Sequence, residues 1–393
     1  MKMLRIAAFF LLLAASPSHA EDRVREGAYL AHLADCAVCH TPPGGAPYSG
    51  GRRIPTPFGA VIAPNLTPDR ATGIGAWSDA EFTRALRAGR SPDGGFLYPA
   101  HPYPYFARFT DAQAAAIRAY LATLAPVRRS ARGADLPFPF DIRFLLAFWD
   151  TLYATTPQNL PDPRHDAPWN RGAWIVTGPG HCGACHTPKT LLGGDIAARA
   201  LEGGMVAGWV APPLDGDLRT GLGAWREDEI ASFLATGSAH GALASGPMAE
   251  VVEFSGARMT EADRAAIAHY LKSLPAPPAP PLPPRPSPAA MAAGEALYRL
   301  RCAPCHGRDG EGTKGLFPRL AGSALVEAER PDTVIHIIER GGRAVATDAA
   351  PTGAAMPGFA GRLDTQAIAA IATYIRNAWG NAAPAVAQRS LTP

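Results

Sequence analysis

The sequence predicts an all-α chain of three small domains in tandem, joined by proline-rich linkers, and three observations carry that expectation. The pentad Cys36-Ala37-Val38-Cys39-His40 returns as Cys182-Gly183-Ala184-Cys185-His186 and as Cys302-Ala303-Pro304-Cys305-His306, which uses all six cysteines. A second phrase also occurs three times, as Ile117-Arg118-Ala119-Tyr120, Ile267-Ala268-His269-Tyr270 and Ile371-Ala372-Thr373-Tyr374. The length, 393 residues, suits about three domains of roughly 100 residues each.

Two thiols at i and i+3 lie on one face of a helical turn. There both can reach the two vinyl groups of one haem, and the adjacent histidine is then held against the iron. A single Cys-x-x-Cys also fits a zinc site or a thiol redox centre. Three copies, each followed by histidine and with no cysteine left over, point to c-type haem attachment. The pairs are Cys36 with Cys39, Cys182 with Cys185, and Cys302 with Cys305; His40, His186 and His306 are the proximal ligands of three covalently bound haem c groups. The three units are then small cytochrome c domains, in which haem supplies core that so few side chains barely provide.

Residues 1–20 have the pattern of a secretory signal peptide. Lys2 and Arg5 form its basic start, Ile6 to Ala15 its apolar centre, and Ser18-His19-Ala20 a cleavage site. The apolar run is shorter than the about 20 residues that span a bilayer, with an uncleaved anchor as the alternative. Export to the periplasm agrees with the cysteines, which meet haem outside the cytoplasm and leave no spare for a disulfide framework. Without Lys2 and Arg5, 35 basic residues face 34 acidic ones, a balance that does not indicate nucleic acid.

In chain order, residues 21–134 form the first domain. A helix marked by Gly27-Ala28-Tyr29-Leu30 runs into the pentad, and Thr110 to Leu124 closes the unit behind a capping threonine. The linker 135–165 is apolar and aromatic, with Leu136-Pro137-Phe138-Pro139-Phe140 and then Ile142 to Tyr153, so it is expected to pack on a neighbouring domain or a partner. The second domain, 166–274, opens at Gly172-Ala173-Trp174-Ile175 and closes with Thr260 to Leu274. It shares Gly221-Leu222-Gly223-Ala224-Trp225 with Gly73-Ile74-Gly75-Ala76-Trp77 of the first, a turn feeding a helix rather than a phosphate loop. Residues 275–288, nearly all proline and alanine, make a semi-rigid polyproline spacer. The third domain, 289–380, opens at Gly294-Glu295-Ala296-Leu297-Tyr298, closes with Asp364 to Trp379, and is more compact. The repeated tyrosine is expected to pack the last helix against the first, and 381–393 to be a loose tail.

A haem held by a proximal histidine needs a sixth ligand for electron transfer and an open position for most catalysis. In the third unit Met356, 50 residues after His306 and just before the closing helix, is the candidate. In the second it is Met248, 62 residues after His186, with Met205 and Met259 in poorer places. The first unit has no methionine between Met3 and Met205. Alignment on the shared tryptophan puts His101 in the methionine position, 61 residues after His40. His32 and His165 compete with it but occupy no repeat-equivalent place. Three proline phrases, Pro64-Asn65-Leu66, Pro212-Pro213-Leu214 and Pro318-Arg319-Leu320, can each offer a backbone carbonyl to the proximal imidazole N–H.

Gly50-Gly51-Arg52, Thr56-Pro57-Phe58-Gly59, Pro64-Asn65-Leu66-Thr67-Pro68-Asp69, Gly73-Ile74-Gly75-Ala76-Trp77-Ser78, Leu97-Tyr98-Pro99-Ala100 and Leu136-Pro137-Phe138-Pro139-Phe140 complete the pattern. The chain resembles the tri-haem cytochrome c subunit of membrane-associated periplasmic dehydrogenases, such as those for alcohol, gluconate and sorbitol. Related cytochromes serve molybdenum hydroxylases. The resemblance implies an electron-transfer subunit with no substrate chemistry of its own. It implies a catalytic partner of flavin, quinone-cofactor or molybdopterin type, with ubiquinone or a respiratory carrier as acceptor. It also implies contact with the periplasmic face of the inner membrane, peripheral or through the complex. The usual distal residue of the family is methionine, so His101 departs from it. The alternative is a multihaem enzyme, of peroxidase or thiosulfate-oxidising type, with one open haem.

Overall fold

The computed structural model describes residues 17–131, 133–154, 161–278 and 281–387. The expected signal peptide therefore lies, up to residue 16, outside the described residues, as do 155–160 of the first linker, 279–280 of the second and 388–393 of the tail.

The first unit contains α1 (Pro17–Leu33), α2 (Cys36–His40), the hairpin β1 (Arg53–Thr56) and β2 (Gly59–Ile62), α3 (Asp79–Ala88), α4 (Tyr103–Phe106) and α5 (Asp111–Ala122). The joint after it holds β3 (Gly133–Asp135) and α6 (Leu146–Tyr153). The second unit contains α7 (Ala167–Thr177), α8 (Gly183–His186), β4 (Gly204–Val206), β5 (Trp209–Ala211) and α9 (Glu227–Thr236). It continues with β6 (Ser238–Ala239), β7 (Ala242–Leu243), α10 (Pro247–Phe254) and α11 (Glu261–Lys272). The third contains α12 (Pro288–Arg301), α13 (Ala303–His306), α14 (Ala324–Glu327), α15 (Asp332–Arg340), β8 (Gly342–Arg343), β9 (Ala355–Met356) and α16 (Thr365–Ile375).

Helices make the framework, but the chain is not purely helical. Among the described residues β1, β2 and β3 form an antiparallel sheet, and β4–β5, β6–β7 and β8–β9 form antiparallel pairs. Long loops folded against a buried centre must satisfy their own backbone groups, and short strand pairs do so without the length a helix needs.

In each unit the opening helix crosses the closing one at a glycine. A Cβ on Gly27 would stand 1.9 Å from the Ala116 carbonyl oxygen, one on Gly172 2.0 Å from that of Ala266, and one on Gly294 2.3 Å from that of Ala370. The closing helices start where their caps put them: Thr110, Thr260 and Asp364 accept from the backbone N–H of Gln113, Asp263 and Ala367. The repeated tyrosine packs as expected in the later units, Tyr270 against Trp169 and Tyr374 against Tyr298, with centroids 5.1 and 5.4 Å apart. In the first unit Tyr120 meets Tyr48 of the loop instead, edge to face at 6.1 Å.

The first two units share one continuous core, in which Leu30, Leu33, Phe106 and Ile117 join Ile175, Val176, Ile267 and Met259. The third has a core of its own around Tyr298, Ile335, Ile338 and Ile371. The apolar joint straddles the first pair. Its β3 extends the hairpin, Tyr98 donates to the Asp141 carbonyl at 3.2 Å, and Trp149 Nε1 donates to the Leu192 carbonyl at 2.9 Å. Phe138, Phe144 and Phe148 nevertheless stay exposed, at 78%, 76% and 64%. The tail differs from expectation up to residue 387. Asn381 donates to the Leu320 and Ile375 carbonyls, and Ala383 and Val386 are buried, so this stretch is docked because its backbone and one amide find partners. Among the described residues no helix is long and apolar enough to cross a membrane.

Candidate metal centres

Each pentad forms one helical turn at the foot of the opening helix, so the two cysteines of a pair and the histidine share a short rigid element. None of the six cysteines is paired in a disulfide. Burial pushes Cys36, Cys39 and Cys182 up to about 12 and Cys302 up to about 11. A thiol redox centre needs the opposite, an easily ionised thiolate, so that reading of Cys-x-x-Cys does not suit the first two turns.

The three histidines are held in one manner. The Nδ1 of His40 donates to the Pro64 carbonyl at 2.8 Å, that of His186 to Pro212 at 2.7 Å, and that of His306 to Pro318 at 3.0 Å. A carbonyl can only accept, so the proton sits on Nδ1 and Nε2 is left with a lone pair for a metal. Burial lowers the pKa of all three, with the carbonyl opposing it. The proline phrases thus supply the carbonyls expected of them. In the first unit the segment is fixed by Asn65, whose Oδ1 accepts from Thr67 and whose Nδ2 donates to the Val127 carbonyl at 2.7 Å.

His101 follows α3 and precedes α4. Burial, first, and then the nearness of His40 lower its pKa to about 4, while the carbonyls of Ala85 and Leu86 on α3 raise it. Its neutral form is therefore favoured, and it lies in the neighbourhood of His40. His32 lies instead beside Arg258 and Phe254, and His165 stacks on Trp169 with centroids 3.7 Å apart. Met248 occupies the first turn of α10, and Met356 lies on β9 opposite Gly342. Of the competing methionines, Met259 is buried in the shared core and Met205 pairs with Val210 in a hairpin.

Haem fits this donor set. Paired thiols on one turn and a histidine whose Nδ1 is already bonded, leaving Nε2 free for iron, are what a c-type macrocycle requires. Tyr48 lines the same place: its hydroxyl is buried beside Cys36 and close to that of Tyr120, and burial raises its pKa.

Sequence reasoning missed the groups that join the first two centres. His181, next to Cys182, is held in the left-handed region (φ 37°). It packs on Phe106 at 5.7 Å, and Phe106 packs on His101 at 5.4 Å. Burial lowers the pKa of His181 to about 4, and the Ala34 carbonyl beside the first pentad opposes this. The Tyr105 hydroxyl donates to Asp195, which also pairs with Lys189 near the second pentad. Asp35 is buried next to Cys36 with one carboxylate oxygen unpartnered. The only signal in the sequence was that Asp35 and His181 immediately precede pentads.

The cytochrome c family model matches residues 24–125, 170–275 and 291–379. The chain is 40% identical to the cytochrome c subunit of the quinone alcohol dehydrogenase of Gluconacetobacter polyoxogenes, over 96% of this chain and 86% of that protein. It is 38% identical to the gluconate 2-dehydrogenase cytochrome c subunit of Pantoea cypripedii, over 92% and 87%. It is 34% identical to the fructose dehydrogenase cytochrome subunit of Gluconobacter japonicus, over 91% and 80%. With its attachment turns and its length both accounted for, the chain belongs to the cytochrome c family and is built to carry covalently bound haem c.

Proposed function

We propose that this chain is a tri-haem electron relay of the periplasm, the cytochrome subunit of a dehydrogenase complex. It receives electrons from a catalytic subunit of flavin, quinone-cofactor or molybdopterin type and delivers them to ubiquinone or another respiratory carrier. Bound haem supplies the one-electron chemistry. The chain's own residues attach it through Cys36 and Cys39, Cys182 and Cys185, and Cys302 and Cys305, and present His40, His186 and His306. His101, Met248 and Met356 are the residues that would hold the sixth position of each iron, an arrangement that would suit transfer rather than substrate binding.

The observation that carries this reading is the threefold Nδ1-to-proline bond, 2.7–3.0 Å in every unit, which orients each imidazole and raises its basicity. The relatives' names support a dehydrogenase partner. The exposed Phe138, Phe144 and Phe148 offer the kind of apolar face that a partner subunit covers, and the complex then holds the chain at the periplasmic face of the inner membrane.

The test is expression of the chain with and without the neighbouring dehydrogenase genes in a host that matures c-type cytochromes. The reading expects three haems per chain, co-purification with the dehydrogenase, and no carbon monoxide binding by the reduced protein. Ready binding of carbon monoxide at one haem, with turnover of a small oxidant such as peroxide, would make it a multihaem enzyme instead.

A further inference from the structure

At one place the third unit reaches into the second with an apolar side chain. Val345, on the loop between β8 and β9, enters a small apolar cluster with Ala244 and Val252, against which Phe233, Met248 and Ala249 pack. Val252, Ala249 and Met248 all belong to α10, so the cluster is built on the helix whose first turn carries Met248. The approach is close enough to require a glycine. Gly237 ends α9 in the left-handed region (φ 73°), and a Cβ there would stand 2.2 Å from Val345 Cγ1.

The Val345 loop is itself held. Gly342 pairs with Met356 and Arg343 with Ala355, and the Ala344 N–H donates to the Ala354 carbonyl at 2.8 Å. Met248 and Met356 therefore stand on two segments that meet at Val345. Other bonds keep the units together around it. Arg319 N–H donates to the Gly241 carbonyl at 2.8 Å, Val210 N–H to Thr333 Oγ1 at 2.7 Å, and Arg219 Nε to Glu327 at 2.9 Å.

We propose that Val345 is a positioning residue for Met248: the third unit, through this contact, holds the thioether of the second centre in place. The inference rests on Met248 being the sixth ligand of the second haem. A methionine has three rotatable bonds and no strong hydrogen bond, so its place is set by what packs around it. Removing two methyl groups of Val345 opens space into which the first turn of α10 and the thioether can relax. The second centre is then sensitive to how the third unit docks.

The test uses the full haem-loaded chain, read by redox titration and by the near-infrared band of methionine-ligated ferric haem. Met248→Ala and Met356→Ala first assign one wave and one share of the band to each methionine. Val345→Ala is expected to shift the wave assigned to Met248 and weaken its share of the band, leaving the Met356 wave in place. Val345→Ile, which keeps the contact, restores the original values. Gly237→Ala, which displaces Val345 from the other side, shifts the same wave. A Val345→Ala protein with three haems and an unmoved Met248 wave overturns the proposal, as does movement of the Met356 wave alone. A band indifferent to Met248→Ala overturns the ligand reading of Met248, and the proposal with it.

Discussion

Arg52 of the first unit grips Glu250 of the second at the place where their two centres adjoin. Its Nη2 donates to both carboxylate oxygens at 2.9 and 2.8 Å, while its Nη1 donates to the Val38 carbonyl inside the first pentad at 2.8 Å. Glu250 stands on α10, the helix that begins beside Met248. Tyr105 makes the reverse connection, from the segment after His101 to Asp195 beside the second pentad. Each unit thus steadies the other's attachment turn with the segment that bears its own candidate ligand, His101 or Met248.

Arg52→Met should lower the stability of the haem-loaded protein by about 1–2 kcal/mol, between the worth of a buried charge-assisted pair and that of an exposed one. The intermediate value follows from side chains that are 26% and 37% exposed. Arg52→Lys should recover part of the loss, since it keeps the charge and not the fork. Thermal unfolding checks this, and equal melting temperatures for all three proteins would mean that the pair does not hold the interface.

Asp35 makes stability depend on pH. Burial raises its pKa well above the ordinary carboxyl value of 3.8, the Glu250 charge adds to this, and Arg52 opposes it. The unfolded chain then releases this proton at a lower pH than the folded one. The contribution is full below 3.8 and is lost as pH rises through the folded-state value, at no more than about 1.4 kcal/mol per pH unit. Asp35→Asn should flatten the fall in melting temperature above pH 4; parallel curves for the two proteins would count against a buried, raised carboxyl.

The first centre should have the lowest potential of the three, because imidazole ligation lies below thioether ligation on a scale that axial ligands spread over about 0.8 V. His101→Met should raise the lowest wave in protein-film voltammetry and leave the others in place. If the lowest wave does not move, His101 is not the ligand.

Asn65, 1% exposed, fixes the Pro64 carbonyl that His40 bonds. Asn65→Ala should cost roughly 2–4 kcal/mol, since it strands buried partners around Thr67 and Val127. A loosened carbonyl also makes His40 a weaker donor, so the wave that His101→Met moves should rise here too. Destabilisation with no change in that wave would show that Asn65 supports the loop and not the imidazole.

Gly27→Ala and Gly294→Ala should each destabilise by about 3 kcal/mol or more, because the added methyl group meets a carbonyl of the crossing helix at about 2 Å and neither backbone can yield cheaply. Gly44→Ala, where a Cβ meets nothing within 4 Å, is the control despite its positive φ of 66°. A melting temperature for Gly27→Ala no lower than the control's would mean the helices can slide apart.

The residues that do the binding chemistry were legible because their spacing is covalent: two thiols and a histidine must fall within one helical turn, and nothing distant can replace them. The glycines of the opening helices were visible only as markers of those helices; that each is a place where only a hydrogen atom fits between two helices came from the structure. His101 was singled out by counting along the repeat. His181 and Tyr105 were not, because their partners, Phe106 with Ala34 and Asp195, lie in the other unit, and no period in the chain encodes a contact between units.

By itself the sequence pointed to three attachment turns, to their histidines with the proline carbonyls behind them, and to His101 at the place where the second unit carries Met248. Only the tertiary structure decided how the units combine. The first two merge into one core through α1, α7 and α11, the tail up to residue 387 docks on the third, and Val345 carries the third unit to the helix of Met248. The physical reason is that local spacing acts within a turn of helix, whereas buried apolar surface and paired charge are settled among whichever surfaces the folded chain brings into contact.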